Sequence, residues 1–296
     1  MKTWIRRTAI GAATLVVLAG LAFTGAVALG ERKLERRIDV EVAPVAAASD
    51  PAAIGRGGYL YRSRGCADCH GTDGAGRVVV EDGGLLIRAP NITRGTGGVV
   101  AAYRPVDWVR TIRHGVKPDG RPAMVMPSED YNRLTDADLA AIVGYVGQLA
   151  PVAGPGTEVR MPLPMKALYA AGMIRDAAEK IDHRLPPAQP VPEAVTAEHG
   201  GYVANSCIGC HGADLAGGRI PGAPPSWPPA SRLAPGPGSV LATYPDAAAF
   251  QAMFRTGKRP DGSAVSPVMP FAALREMSPV DVQALYLHLK TMPARR

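Results

Sequence analysis

The chain has 296 residues, 47% of them apolar and 20% charged, which excludes disorder over its whole length and leaves room for two domains. Its 34 Gly and 28 Pro predict many turns and argue against one long helical bundle, and 5% aromatics leave little to fill a core by side chains alone. The net charge of +7 is concentrated near the start, because residues 1–37 carry seven basic and two acidic side chains; the nearly balanced remainder offers no broad nucleic-acid footprint.

Lys2, Arg6 and Arg7 precede an uncharged run of 23 residues, Thr8 to Gly30. As a helix that run measures about 34 Å, enough to cross a bilayer. A signal peptide cut after Ala26-Val27-Ala28 also fits, but the run exceeds the usual signal core, so its length favours a retained anchor. Both flanks are basic, Arg32, Lys33, Arg36 and Arg37 following the run, so loop charge orients it weakly. Either reading exports the rest of the chain. Residues 1–37 are the signal or anchor segment, and 38–50 are a spacer leading away from it.

Beyond the spacer the sequence repeats at an offset of 141 to 143 residues. Cys66-Ala-Asp-Cys69-His70-Gly71 returns as Cys207-Ile-Gly-Cys210-His211-Gly212. Gly57-Gly58-Tyr59 matches Gly200-Gly201-Tyr202, Arg113 matches Arg255, Val125-Met126-Pro127 matches Val268-Met269-Pro270, and Asp138 matches Asp281. Two copies of one domain follow, 51–150 and 195–296, joined by a Pro-rich connector, 151–194.

Each copy reads as a small helical unit. Asp50 and Pro51 open a first helix, and Thr196 opens its counterpart. Pro105 to His114 is a short helix stopped by Gly115, as Gly257 stops its partner. Thr135 with Asp138, and Ser278 with Asp281, open the last helices. The Gly- and Pro-rich stretches 71–100 and 217–239 are expected to be long loops without strands. The connector is expected to hold a short helix near Met165–Lys180 and to pack across both domains.

All four cysteines fall in two C-x-x-C-H motifs, a spacing that attaches heme. The two thiols add across the two vinyl groups, and the adjacent His reaches the iron. A thioredoxin-like pair would need a βαβ context, a zinc site lacks further ligands at zinc spacing, and an exported C-x-x-C could form a disulfide. The recurrence of the motif in register, each copy with a Met-Pro downstream, favours heme c, two groups bound covalently through Cys66, Cys69, Cys207 and Cys210. His70 and His211 are the first axial ligands. Met126 and Met269 are the expected second ligands, because they align, whereas the rival Met124 has no Met counterpart. His/Met ligation raises the reduction potential and fills the sixth position, leaving no open site for oxygen or peroxide.

His114 aligns with Thr256 and is taken as a helix-end residue; His183, His199 and His288 are taken as structural. Arg113 and Arg255 either pair with heme propionates or are solvated helix-end charges. Asn91 is a candidate hydrogen-bond donor near the propionates, although Arg232 stands at its aligned position. Tyr103 and Tyr244 align, either on the heme edge or as ordinary core.

This pattern of N-terminal helix, C-x-x-C-H, long loop, Met-Pro and C-terminal helix resembles the class I cytochrome c family, in two blocks covering about 200 residues. The chain looks like the membrane-anchored diheme cytochromes c of bacteria and is similar to domains in the multiheme cytochrome subunits of membrane-bound alcohol and gluconate dehydrogenases. Those subunits often carry three heme motifs, where this chain has two. The resemblance implies a mainly α fold, two tandem class I cytochrome c-like domains behind a single N-terminal transmembrane helix. It implies an electron carrier in the cytoplasmic (inner) membrane, its heme domains facing the periplasm. Its partners would be a dehydrogenase or quinol-oxidising complex and a terminal oxidase. A non-catalytic subunit of a larger dehydrogenase is the alternative, and a diheme peroxidase or thiosulfate dehydrogenase is disfavoured by Met-Pro in both copies.

Overall fold

A computed structural model describes residues 2–224 and 226–294. The chain is mainly helical. Helix α1 (Lys2–Leu34) contains the apolar run, and the protein leaves that run uncovered. Among the described residues it is the one helix long and apolar enough to cross a membrane.

The first copy holds α2 (Pro51–Ser63), α3 (Cys66–His70), α4 (Pro105–His114), α5 (Ser128–Tyr131) and α6 (Asp136–Gly147). Asp50 caps α2 by accepting from Ala53 N at 2.8 Å, and Thr135 caps α6 by accepting from Asp138 N at 3.0 Å. Helix α2 crosses α6 in backbone contact, since a Cβ on Gly57 would collide with the Ala141 carbonyl. Leu60, Val109, Leu139 and Ile142 are buried around this crossing, each burial stabilising the fold by about 1.5–3 kcal/mol.

The second copy repeats the plan with α8 (Ala197–Ala204), α9 (Ile208–His211), α10 (Ala247–Thr256), α11 (Phe271–Leu274) and α12 (Pro279–Thr291). Ser278 caps α12 by accepting from Asp281 N at 3.1 Å. Gly200 meets the Ala284 carbonyl as Gly57 meets that of Ala141. Val203, Phe254, Val282 and Leu285 form the core. Gly115 and Gly257 close α4 and α10 at φ of 64° and 70°.

Two expectations need correcting. The stretch 71–100 is not all loop, because β1 (Arg77–Asp82) pairs antiparallel with β2 (Leu85–Ala89). The sequence carried the signal: a β-branched run, then Gly83-Gly84 at φ of 54° and 83°, which supplies the two positive angles a tight hairpin needs. Its counterpart, 217–239, has isolated bridges only among the described residues. The connector also differs from expectation. Its helical part is split into α7 (Leu163–Ala170) and a 3-10 turn (Ala178–Lys180), interrupted at Gly172, whose φ is 75°.

The connector does not span both domains evenly. Its strand β3 (Glu158–Arg160) extends the β1-β2 sheet. Ala177 N donates to Ala123 O at 2.9 Å, Lys180 pairs with Glu129 at 2.8 Å, and Glu193 pairs with Arg56 at 2.6 Å, all within reach of the first copy. The spacer lies along the first copy too: Ile38 N donates to Gly120 O and Ala48 N to Ala140 O, both at 2.9 Å.

Candidate functional site

Each C-x-x-C-H motif forms a single helical turn followed by a glycine with positive φ, Gly71 at 79° and Gly212 at 81°. In that turn the two cysteines lie three residues apart and the histidine follows, so all three side chains leave one side of the turn. The four cysteines form no disulfide. Among the described residues no three His, Cys, Asp or Glu side chains gather as the ligands of a bare metal ion.

The histidines are held in the same way. His70 Nδ1 lies 3.0 Å from the Pro90 carbonyl, and His211 Nδ1 lies 2.8 Å from that of Ser231. Only an Nδ1–H can donate to a carbonyl, so each ring keeps a bare lone pair on Nε2, the tautomer an axial ligand needs. Burial lowers the pKa of both imidazoles below the ordinary value, against the opposing carbonyl bond, and favours the neutral form.

Backbone geometry sets those carbonyls. Gly76 N donates to His70 O at 2.8 Å and Gly217 N to His211 O at 2.9 Å. Both glycines have positive φ, 78° and 73°, and a Cβ on either would strike the chain at Ala89-Pro90 or Ala230-Ser231. Leu215 takes the left-handed conformation, φ 56°, where the first copy has Gly74 at 76°. A leucine tolerates that angle at a cost of about 1 kcal/mol or more, repaid here by burial of its side chain in the second core.

The Met-Pro pairs are geometric units as well. Pro127 (φ −79°, ψ 61°) and Pro270 (φ −77°, ψ 70°) each centre an inverse γ-turn. Ser128 N donates to Met126 O, and Phe271 N to Met269 O, both at 2.8 Å. Met126 packs against the same apolar cluster as Cys66, and Met269 against the same cluster as Cys207 and Ile208. Paired thiols, a neutral imidazole with Nδ1 engaged, and a thioether on a shared apolar cluster make a donor set that fits heme c in both copies.

The other candidates fall differently. Arg113 donates from Nη2 to the Leu134 carbonyl at 2.6 Å and pairs through Nη1 with Asp136 at 2.7 Å; its buried Nε has no protein partner. Arg255 makes the equivalent bond to Met277 O at 2.7 Å. Both arginines thus tie α4 or α10 to the start of the last helix. Asn91 is corrected: it is fully buried, accepts from Thr93 N and Oγ1 at 2.8 Å, and donates to Val152 O at 2.8 Å. It folds the loop and has its polar atoms engaged by protein. Tyr103 and Trp108 form a partly buried edge-on pair, whereas Tyr244 packs on Phe250 within the second core.

His114 and His183 stack with Nδ1 atoms 3.1 Å apart, and burial beside His183 and Arg113 pushes His114 down to about 4. His199 is buried against Asp281 at 2.7 Å, and His288 donates from Nδ1 to Ala197 O at 3.0 Å; all serve structure.

Sequence reasoning did not find the two carbonyl anchors. Pro90 and Ser231 share the 141-residue offset of the histidines, as Gly76 and Gly217 do, so register alone could have flagged them. It also missed that the two sites touch. Asp130, in the helix after the first Met-Pro, accepts from Gly209 N inside the second C-x-x-C at 2.7 Å. Burial, with Glu129 adding to it and the Gly209 N–H opposing it, pushes the Asp130 carboxyl up to about 7.

Residues 52–146 match the family described as "Cytochrome C oxidase, cbb3-type, subunit III". The chain is 27% identical over 283 residues to the fructose dehydrogenase cytochrome subunit of Gluconobacter japonicus, covering 85% of this chain and 55% of that protein. It is 28% identical over 175 residues to the gluconate 2-dehydrogenase cytochrome c subunit of Pantoea cypripedii, covering 55% and 38%. It is 28% identical over 133 residues to the cytochrome c subunit of the quinone-dependent alcohol dehydrogenase of Gluconobacter oxydans, covering 43% and 28%. The chain thus spans about half or less of the length of these relatives.

Proposed function

With a match to a cytochrome oxidase subunit family at residues 52–146, and similarity to cytochrome subunits of dehydrogenases, we propose that this protein is a diheme electron carrier. Cys66 and Cys69 would hold the first heme, with His70 and Met126 as iron ligands, and Cys207 and Cys210 would hold the second, with His211 and Met269. The observation that carries the reading is the doubled geometry: in each copy a carbonyl fixes the histidine tautomer and a Pro-centred turn presents the methionine.

Bound heme c supplies reversible one-electron exchange at iron. The chain's own residues do the rest. The Pro90 and Ser231 carbonyls hold the imidazole protons on Nδ1. The apolar clusters around Cys66 and Cys207 exclude water and limit rearrangement. The Met126 and Met269 thioethers would occupy the remaining ligand position at each iron, which would close it to small ligands and raise its potential. The protein itself is non-catalytic.

The electron donor is a dehydrogenase or quinol-oxidising complex, and the acceptor a terminal oxidase. Helix α1 anchors the chain in the cytoplasmic membrane, with both heme domains on the periplasmic side. A second reading, a relay subunit within a larger dehydrogenase, is favoured by the relatives, each a dehydrogenase subunit by name.

The test is an optical spectrum of the membrane-extracted protein with a pyridine hemochrome count and added carbon monoxide. Two low-spin hemes per chain, indifferent to carbon monoxide, are expected. One heme per chain overturns the tandem assignment. Ready carbon monoxide binding overturns the closed sites and points to a diheme enzyme. Co-purification of a dehydrogenase from gently solubilised membranes separates subunit from free carrier.

A further inference from the structure

The apolar run of α1 ends at Gly30, and α7 crosses the helix there. A Cβ on Gly30 would collide with the Lys166 carbonyl, so the two helices meet at backbone distance. The joint is locked by charge. Lys33 donates to Tyr169 O at 2.9 Å and pairs with Glu179 at 2.8 Å. Arg36 pairs with buried Asp176 at 2.6 Å and donates to the Tyr169 hydroxyl at 2.6 Å, while Lys166 pairs with Glu31. Helix α7 is therefore fixed at the level where the apolar run gives way to charged sequence.

The outer side of α7 and its continuation carry no charge. Leu163 is 54% exposed, Leu168 39% and Met173 70%, with Pro164, Ala171 and Gly172 also exposed. From Met161 to Ile174 the only ionisable side chain besides Tyr169 is Lys166, which turns back to Glu31. Exposed Arg160 and Arg175 bracket this stretch. An apolar face bounded by arginines suits the boundary between acyl chains and headgroups, where apolar side chains bury and guanidiniums reach phosphate.

We propose that residues 163–173 form a membrane-surface contact, seated in the lipid headgroup boundary beside the anchor, so that the first heme domain is held at a fixed orientation to the bilayer. The occupant is lipid because the face is continuous with the end of the apolar run. The contact links lipid to the site region through Lys180, which pairs with Glu129 beside the Met126-Pro127 turn. The inference rests on α1 being a retained anchor.

The experiment uses the full heme-loaded chain in phosphatidylcholine–phosphatidylglycerol vesicles containing a phospholipid with a photoactivatable diazirine near its glycerol end, followed by peptide mapping. Label is expected on peptides from 8–30 and from 161–175. Leu168→Glu combined with Met173→Glu is expected to cut the second signal about five-fold or more, leaving the first signal and the heme count unchanged. Label on 8–30 alone overturns the surface contact and leaves the anchor standing. Label on neither removes the anchor reading as well. Equal label on the peptide carrying exposed Leu287, or no loss in the double variant, also overturns the contact.

Discussion

The Tyr59 hydroxyl donates to Asp281 Oδ2 at 2.6 Å across 222 residues of chain, and its repeat partner Tyr202 donates to Asp138 Oδ2 at the same distance. Each tyrosine also accepts from the backbone at the start of the other copy's last helix, Tyr59 from Ser278 N at 3.0 Å and Tyr202 from Thr135 N at 3.3 Å. The exchange is reciprocal, as at a two-fold interface between identical subunits. Two copies on one chain therefore clasp each other through equivalent residues, and α5, just after Met126-Pro127, reaches the second C-x-x-C-H turn through the Asp130–Gly209 bond.

Tyr59→Phe and Tyr202→Phe are each expected to cost about 1–2 kcal/mol, because each removes a hydrogen bond to a buried or half-buried carboxylate. The double variant is expected to turn one cooperative thermal transition into two as the copies uncouple. Calorimetry checks this; a single transition in the double variant would count against the clasp.

Asp281 also takes Arg64 at 2.6 Å and His199 at 2.7 Å, and both carboxylate and guanidinium are buried. Burial alone would raise the Asp281 pKa, but the Arg64 charge and the Tyr59, Arg64 and His199 bonds overcome it and hold the group below the usual carboxylate range. Asp281→Ala is expected to destabilise by about 3–5 kcal/mol, since it strands Arg64 without its counter-charge. Adding Arg64→Met should restore much of the loss, as read by urea unfolding.

Gly76→Ala and Gly217→Ala are each expected to cost about 2 kcal/mol or more, from a positive φ and a backbone collision together. The histidine at the affected site then loses its carbonyl partner. A weaker Nδ1–H donation makes the imidazole less basic, so the potential of that heme should rise, as potentiometric titration would record. An unchanged potential would separate the glycine from ligand positioning.

Asp130 sets a pH dependence. Its folded pKa, about 7, lies above the unfolded value, so the folded state binds the extra proton between them. Its contribution is full below about pH 4 and is lost as pH rises through 7. The rise from about 4 to about 7 sets the loss at up to about 4 kcal/mol. Asp130→Asn keeps an acceptor for Gly209 N and should flatten this slope, leaving the variant more stable than the parent at pH 8 in denaturant titrations.

Much of this was legible in the chain itself. Caps at Asp50, Thr135, Thr196 and Ser278 marked helix starts because their side chains satisfy orphan N–H groups locally. The β1-β2 hairpin was missed because its glycines were read as loop composition and not as a pair of positive angles. Asn91 was misread because a buried amide looks the same in sequence whether it faces a ligand or its own loop; here Thr93 and Val152 take its polar atoms.

The motifs are legible along the chain: two thiols and an imidazole at fixed short spacing, a Met-Pro some 56 to 58 residues on, and one apolar run long enough for a membrane. These signals are local, carried by neighbours along the chain. Tertiary structure alone decided which carbonyl holds each histidine, how Tyr59 and Tyr202 exchange partners, and where α7 meets the anchor. Those contacts join residues from 20 to more than 200 positions apart, and their energy depends on burial and direction, which only the folded chain supplies.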